Sequence, residues 1–327
     1  MLSRVADSIF WMCRYIERAE NIARFIDVNL LLMLDSQMDM WQQWQPMVAI
    51  TGDQEWFQEE YGETSQRQVL EFLTLDSEYL NSISSSLRMA RENARSIRDV
   101  LPSEMWQQVN SAYHFVTGSG ARKMMLNHPH DFYTQIKTCS QVFNGMAEGT
   151  MSRSEGWHFG RMGRLLERAD RTSRLLDVKY FILLPKPEFV GSAYDNSQWA
   201  AVLRSASALE MYRKRYHRIT PLNVVDFLTF DTEFPRSIHH CVIKAKESLH
   251  GITGTRVGSH RNSAERLIGR LEAELNYLDV HEVFHIGLHE FLDQIQSKLN
   301  DVGDAIFETF FAMHETFAPV ELVEHEN

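Results

Sequence analysis

The chain has 327 residues, of which 44% are hydrophobic and 24% are charged, a composition typical of a soluble globular protein. Its formal net charge of −11 argues against nucleic acid and anionic membranes as general partners, since both require a basic surface. The three cysteines lie far apart and form no Cys-x-x-Cys pair, which predicts inert thiols in a reducing cytoplasm.

Neither a signal peptide nor a membrane span is expected. Asp7 and Arg14 interrupt the apolar stretch near the N-terminus before it reaches the length of a signal sequence. The longest apolar runs are far shorter than the ~20 residues that a membrane helix needs. The sequence contains neither a Gly-x-Gly-x-x-Gly motif nor a P-loop, and we expect no cofactor.

Apolar residues recur at helical spacing along the chain, and no strand-like alternation is seen, which predicts an all-α fold. Asp76 and Asp231 each precede a helical run and are predicted to cap it. The predicted helices span Arg4 to about Asp35, about 78–100, Ser103–Val116, Asp131–Met146, about Ser154–Leu184, Ser263–Leu278 and His281–Phe317.

The first long helix is repeated in the second half of the chain. Residues 10–28 match residues 160–178 at eight of nineteen positions, with a constant offset of 150. Residues 69–92 match residues 224–247 at ten of twenty-four positions, with an offset of 155. This pattern predicts a tandem duplication. We expect residues 1–150 and residues 151–327 to form two helical repeats that pack as one pseudo-twofold bundle.

Both copies of the long helix carry the pattern Arg-x-x-Glu-Arg-Ala-acidic, whose spacing places several charges on one helix face. One interpretation is a solvated face with weak ion pairs. The other is a set of buried Glu-Arg pairs that line a polar cleft for a ligand or a partner, since Ile16 and Ala19 adjoin the motif. The candidate residues are Arg14, Glu17, Arg18, Asn21, Arg24, Arg164, Glu167, Arg168, Asp170 and Arg171, with Arg91 and Glu92 from the segment ARENARSIRD.

A His-Glu-x-x-His motif occurs near the C-terminus, at His281, Glu282 and His285, and His289 continues the same spacing. On a helix, this motif can bind zinc and supply a general base. The segment departs from the longer HExxHxxGxxH pattern, and the first half has no counterpart. We therefore expect a histidine-rich helix face that holds no metal, with a zinc hydrolase as the alternative.

The segments IERAENIAR, LLERADR, ARENARSIRD and DTEFPRSI resemble the motifs of the Alpha-E family, which is named for an all-helical domain with a repeated Glu-Arg signature. The resemblance covers essentially the whole chain. It implies a bacterial protein encoded beside a circularly permuted ATP-grasp ligase and a transglutaminase-like cysteine protease. It brings no assigned catalytic residue.

The resemblance implies an accessory protein that works in the cytoplasm with an ATP-grasp amide ligase, and with a transglutaminase-like protein as a further partner. The helices that carry the motif would hold a carboxylate-bearing peptide or a partner segment. An enzyme of amide or peptide chemistry and a purely structural helical scaffold remain as alternatives. Catalytic activity is left open, and the absence of other enzyme signatures argues against it.

Overall fold

The computed structural model describes residues 1–34, 40–49, 51, 53–62, 64–182 and 193–312, and within these ranges the chain is helical and contains no β-strand. The predicted all-α fold is confirmed. The helices are α1 (Ser3–Leu34), α2 (Met40–Ala49), α3 (Gln54–Tyr61), α4 (Gln66–Thr74), α5 (Ile83–Ser96), α6 (Ser103–Thr117), α7 (Ala121–Asn127), α8 (Pro129–Thr150), α9 (Glu155–Ile182), α10 (Ala193–Ser205), α11 (Leu209–Arg215), α12 (Pro221–Phe230), α13 (Ile238–Thr253), α14 (Ser263–Tyr277), α15 (Val280–Ile286) and α16 (Leu288–Ile306), followed by a π-helical turn, Phe307–Phe311.

The two long helices, α1 and α9, pack directly against each other at the centre of the molecule. Glycines on α9 make this close approach possible. A Cβ atom at Gly163 would lie 2.4 Å from the carbonyl oxygen of Phe10, and one at Gly160 would lie 3.0 Å from Sγ of Cys13. Because a backbone carbonyl cannot move aside easily, only glycine fits at position 163.

Outer helices cover the central pair. Helices α5 and α8 pack on α1, and helices α13 and α16 pack on α9. Both central helices are therefore buried on several sides, and the acidic residues of their motifs, Glu17, Glu20, Glu167 and Asp170, are buried. The outer helices come from matching places in the two halves of the sequence, with α5 corresponding to α13 and α8 to α16. The pseudo-twofold relation between the halves and the boundary near residue 150 stay predictions.

The prediction that Asp76 and Asp231 cap the following helices is wrong. The caps are Ser82 and Ser237, whose hydroxyls accept hydrogen bonds from amides at the starts of α5 and α13. Each aspartate lies six residues before its serine, and its backbone carbonyl oxygen accepts a hydrogen bond from the serine hydroxyl. The aspartate Oδ1 accepts from the backbone amides two and three residues further along the chain. The carboxylates thus stabilise a turn that precedes each helix.

The predicted continuous helix His281–Phe317 is also wrong. Gly287, with φ of +107°, separates α15 from α16, and a π-helical turn follows α16. Residues 313–317 lie outside the described residues, as do Asp35 and the predicted end of the second long helix at residues 183–184. In the described ranges, no helix has the length and apolarity needed to cross a membrane.

Candidate functional site

Two Glu-Arg forks join α1 to α9 in a reciprocal arrangement. Arg18 donates from Nε to Oε1 of Glu167 at 2.7 Å and from Nη2 to Oε2 at 3.1 Å. Arg168 donates in the same way to Glu17, at 2.8 Å for both bonds. The two glutamates are 0–1% exposed, so the solvated-pair interpretation is wrong for these residues. Each helix therefore supplies a buried carboxylate and also the planar guanidinium that neutralises the carboxylate of the other helix.

Additional donors surround Glu167. Arg14 of α1 donates from Nε to Oε2 at 2.9 Å, and Arg171, one turn further along α9, donates to Oε1 at 3.0 Å. Arg18 also reaches Asn81, which accepts from Nη1 at 2.9 Å. Three guanidiniums thus contact one buried carboxylate, and the Asn81 amide oxygen holds one of them, that of Arg18.

The shell around Glu17 uses the same residue types in exchanged positions. Asn21, one turn along α1, donates to Oε1 at 3.0 Å, and Arg236 donates to the same oxygen at 3.0 Å. Asn21 matches Arg171 at the offset of 150, and Arg236 matches Asn81 at the offset of 155. Each site therefore has one arginine and one asparagine at these two positions, but in opposite order.

A second pair of acidic residues extends the network. Glu20 accepts from Arg24 at 2.8 Å, from Arg236 at 2.6 Å and from the Ser140 hydroxyl at 2.5 Å. Asp170 accepts from Nε of Arg174 at 3.0 Å. The buried centre between the long helices therefore holds two hydrogen-bonded charge clusters, one around Glu17 and Glu20 and the other around Glu167 and Asp170.

The arginines determine the ionisation of the two buried glutamates. Burial by itself raises the pKa of the Glu17 carboxyl, but the Arg168 and Arg236 guanidiniums outweigh it and hold that pKa well below its ordinary value. Burial likewise opposes ionisation of Glu167, and Arg18 and Arg171 hold its pKa well below the ordinary range. Both carboxylates are therefore charged in the folded protein at neutral pH.

A basic pocket opens on the outer side of α9, where it meets the end of α8 and the start of α13. We name it the α9 pocket. It has a volume of about 320 Å³ and contains two arginines of the second motif, Arg164 and Arg168. Its lining residues are Glu148, Arg153, Trp157, Arg161, Arg164, Leu165, Arg168, Pro235, His240 and Lys244. A concave surface with this excess of cations is suited to an anionic group.

The other sequence candidates lie apart from this centre. Arg91 of α5 donates to Asn110 at 2.8 Å, pairs with Glu92 at 2.9 Å and stacks on Tyr113 at 5.0 Å. These contacts tie α5 to α6 and give Arg91 and Glu92 a local packing role. Arg164 lines the α9 pocket and donates to Asn144 of α8, and the remaining candidates of the two motifs lie in the buried centre around Glu17 and Glu167.

The histidine motif is split between two helices. His281 and His285 are exposed on α15, whereas His289 lies on α16 and its Nδ1 is 2.7 Å from Oδ1 of Asp177. Glu282 closes the capping box that begins α15. Within the described ranges, no group of three or more His, Cys, Asp or Glu side chains is placed to hold a metal ion.

Sequence reasoning missed Arg236 and the pocket cations Arg153, Arg161 and Lys244. Arg236 had a detectable signal, because it replaces Asn81 within the matched block while Arg171 replaces Asn21. The pocket cations had only a weak signal. They come from segments almost one hundred residues apart, and only the folded chain brings them together.

The comparisons with known proteins agree with the helical architecture. The family model Alpha-E, described as a predicted alpha-helical domain with a conserved ER motif, matches residues 1–311. Uncharacterized proteins of Mycobacterium bovis and Mycobacterium tuberculosis are 23% identical over 343 residues, and another from Mycobacterium tuberculosis is 22% identical. These alignments cover 97% of this chain but only 38% of each relative. No solved structure matches the chain.

Proposed function

The chain belongs to the Alpha-E family, and we propose that it is an accessory binding module for an ATP-grasp amide ligase that forms or modifies peptide amide bonds. In this proposal, the α9 pocket receives an anionic group, either from a carboxylate-bearing peptide or from a partner segment. A transglutaminase-like protein is the second proposed partner. The relatives are much longer than the region they share with this chain, which suits a module that acts beside other domains.

The observation that carries the proposal is the concentration of positive charge in the α9 pocket. The whole chain has a net charge of −11, yet five arginine and lysine side chains line this one concave surface. Arginine forks match the geometry of carboxylates and related oxyanions. Glu17 neutralises Arg168, and among the described residues the other four cations have only two carboxylates within ion-pair distance, Glu148 and Glu247, so the field at the mouth of the pocket is positive.

We also propose that residues 1–150 and 151–327 arose by tandem duplication and form one pseudo-twofold body in the cytoplasm. The reciprocal forks of Arg18 and Arg168 support the duplication, because each occupies the same place in its own motif. The exchange of arginine and asparagine around the two glutamates supports it further, since each site keeps one arginine and one asparagine at the two matched positions. The cytoplasmic location rests on the cysteine pattern of the sequence.

A structural scaffold is the second candidate function. The burial and full hydrogen bonding of Glu17 and Glu167 favour it, because side chains already held by several arginines have little capacity for a ligand. The zinc-hydrolase form of the enzyme alternative receives no such support from the described residues, since Glu282 caps a helix and His289 contacts Asp177. The two leading candidates differ in whether the outer face of α9 takes part in binding.

Affinity purification from the native host distinguishes these candidates. The wild-type chain is expected to recover an ATP-grasp ligase, and the pocket variant Arg161→Gln/Lys244→Gln is expected to recover much less. The matched control is Arg266→Gln/Arg270→Gln, which removes the same charge from exposed positions of α14 and should behave as wild type. Equal recovery by all three proteins would refute a binding role for the pocket and leave the scaffold candidate.

A further inference from the structure

We infer that the α9 pocket binds a doubly charged phosphoryl group in preference to a single carboxylate. The inference rests on the proposed function, because it specifies the ligand of the same pocket. Four observations support it: the charge balance on each side of the pocket, the orientation of Arg164, the residues at matching positions of the other half, and the way the guanidiniums are held.

One side of the pocket has two cations that share Glu148. Arg153 lies 2.9 Å from this carboxylate, and Nη2 of Arg164 lies 3.5 Å from it. A strong charge-assisted bond between nitrogen and oxygen is about 2.7–2.9 Å long, so the contact of Arg164 is weak. This side has one positive charge more than it has negative charges.

The other side repeats the imbalance around Glu247. Lys244 lies 2.7 Å from this carboxylate, and Nη2 of Arg161 lies 3.6 Å from it. Arg161 makes one further bond, a long contact of 3.3 Å to the Ser248 hydroxyl. Four cations therefore share two carboxylates, which leaves two positive charges at the pocket. A phosphoryl dianion balances this excess, whereas a single carboxylate balances only half of it.

The orientation of Arg164 points to the same ligand. Its counterpart Arg14 uses Nε to donate to the buried Glu167. In Arg164, Nε is buried without a hydrogen-bond partner, while Nη1 donates to Asn144 at 3.0 Å and Nη2 faces Glu148. An unpaired buried donor is costly. The side chain thus gives up a bond to the protein centre and holds its guanidinium at the pocket wall.

The two halves differ at two of the positions that supply cations to the pocket. Trp11 occupies the position of Arg161 at the offset of 150, and Met89 occupies the position of Lys244 at the offset of 155. The matching helices α1 and α5 fold with an aromatic and a thioether side chain at these places. The helix packing therefore does not require a cation at either position, and the positive charge in the second half serves another purpose.

Trp157 positions two of the guanidiniums. The Arg153 guanidinium carbon lies 4.2 Å from the centre of the indole ring, and that of Arg161 lies 5.2 Å from it. Such contacts hold arginine side chains in place before a ligand arrives. Separate donors from several directions fit the three oxygens of a phosphoryl group better than the two oxygens of a carboxylate. The volume of about 320 Å³ leaves room for the group to which the phosphate is attached.

Isothermal titration calorimetry of the full chain with methyl phosphate, acetate and succinate tests this inference. At pH 8 and low ionic strength, methyl phosphate should bind at least about tenfold more tightly than acetate, and more tightly than succinate. Lowering the pH to 5 should weaken its binding, because the second pKa of a phosphate monoester is about 6. Arg161→Gln/Lys244→Gln should weaken it at least about tenfold. Arg266→Gln/Arg270→Gln should leave it unchanged.

The outcomes separate the inference from the proposed function. Binding of acetate or succinate as tight as that of methyl phosphate would overturn the phosphoryl inference and leave an anion-binding pocket. No binding of any probe would overturn both. Phosphate binding that the pocket variant retains would also overturn the inference, because the ligand would then occupy another site. Circular dichroism of each variant verifies that it is folded.

Discussion

Replacing Arg236 with asparagine is expected to destabilise the protein, and a second substitution is expected to restore it. Arg236 donates to Glu17 at 3.0 Å, to Asn21 at 3.1 Å and to Glu20 at 2.6 Å, all in the buried centre. Arg236→Asn removes the cation that these groups share. The double variant Asn21→Arg/Arg236→Asn keeps the total charge and copies the arrangement around Glu167, where the arginine is Arg171.

Removing one partner of a buried ion pair costs about 3–5 kcal/mol. The lower end applies here, because Glu17 keeps the fork of Arg168 and Glu20 keeps Arg24. Burial and the neighbouring Arg168 guanidinium lower the pKa of Arg236, so its removal also relieves an unfavourable contribution. We expect a loss of about 3 kcal/mol. With an unfolding entropy of about 2.1 cal/mol/K per residue over 327 residues, the melting temperature falls by about 4 °C.

Urea unfolding of wild type, both single variants and the double variant forms a double-mutant cycle. Asn21→Arg alone should also destabilise, because it places another guanidinium beside Arg236. The double variant should be more stable than the sum of the single effects by at least about 1.5 kcal/mol. Additive losses would refute the exchange of roles between the two sites, and a loss below about 1 kcal/mol for Arg236→Asn would refute its place in the network.

Three further predictions concern packing, pH and metal content. Gly163→Ala should lower stability by about 1–3 kcal/mol in thermal melts, whereas Gly145→Ala in α8, where a new Cβ meets no atom within 4 Å, should be neutral or stabilising. The pKa values of Glu17 and Glu167 in the folded protein lie below the value of about 4.3 in the unfolded chain. The ionised carboxylates therefore contribute their full share to the free energy of unfolding above that pH, and the contribution is lost as the pH falls through the folded-state pKa values. The urea concentration at the unfolding midpoint should thus drop on acidification, and it should drop less steeply in Glu167→Gln than in wild type. The same pH dependence in both proteins would contradict this expectation. Untagged protein should contain no stoichiometric zinc by elemental analysis, and one zinc per chain that His285→Ala removes would show the opposite.

The sequence predicts the central helices well because their apolar spacing and their repeated motif agree. The match between positions 10–28 and 160–178 locates α1 and α9, and the neighbours Ile16 and Ala19 correctly indicate that the Glu-Arg pairs are buried. Periodicity fails where the backbone changes direction without interrupting the apolar pattern. Gly287 breaks the last predicted helix in this way, since its positive φ leaves no trace in the spacing of neighbouring residues.

Long-range partners were beyond the reach of local patterns. Arg236 lies 219 residues from Glu17 in sequence, just before α13, and the two side chains meet because α13 and α1 both pack on α9. In sequence, Asn21 aligns with Arg171, and Arg236 aligns with Asn81. Only the structure shows that these four residues lie around the carboxylates of Glu17 and Glu167, so that the two substitutions compensate each other. The α9 pocket was missed for the same reason, because α9, the turn before it and α13 each contribute cations.

We propose two separate roles for α9, with a buried face that holds α1 and an outer face that binds an anion. Thermal melting with and without saturating methyl phosphate tests both roles in wild type, Glu167→Gln and Arg161→Gln/Lys244→Gln, because a ligand that binds only the folded state raises the melting temperature. Glu167→Gln should melt lower but keep the ligand-induced rise. The pocket variant should melt near wild type and lose that rise. A Glu167→Gln variant that melts as wild type, or a pocket variant that keeps the full rise, would contradict the claim.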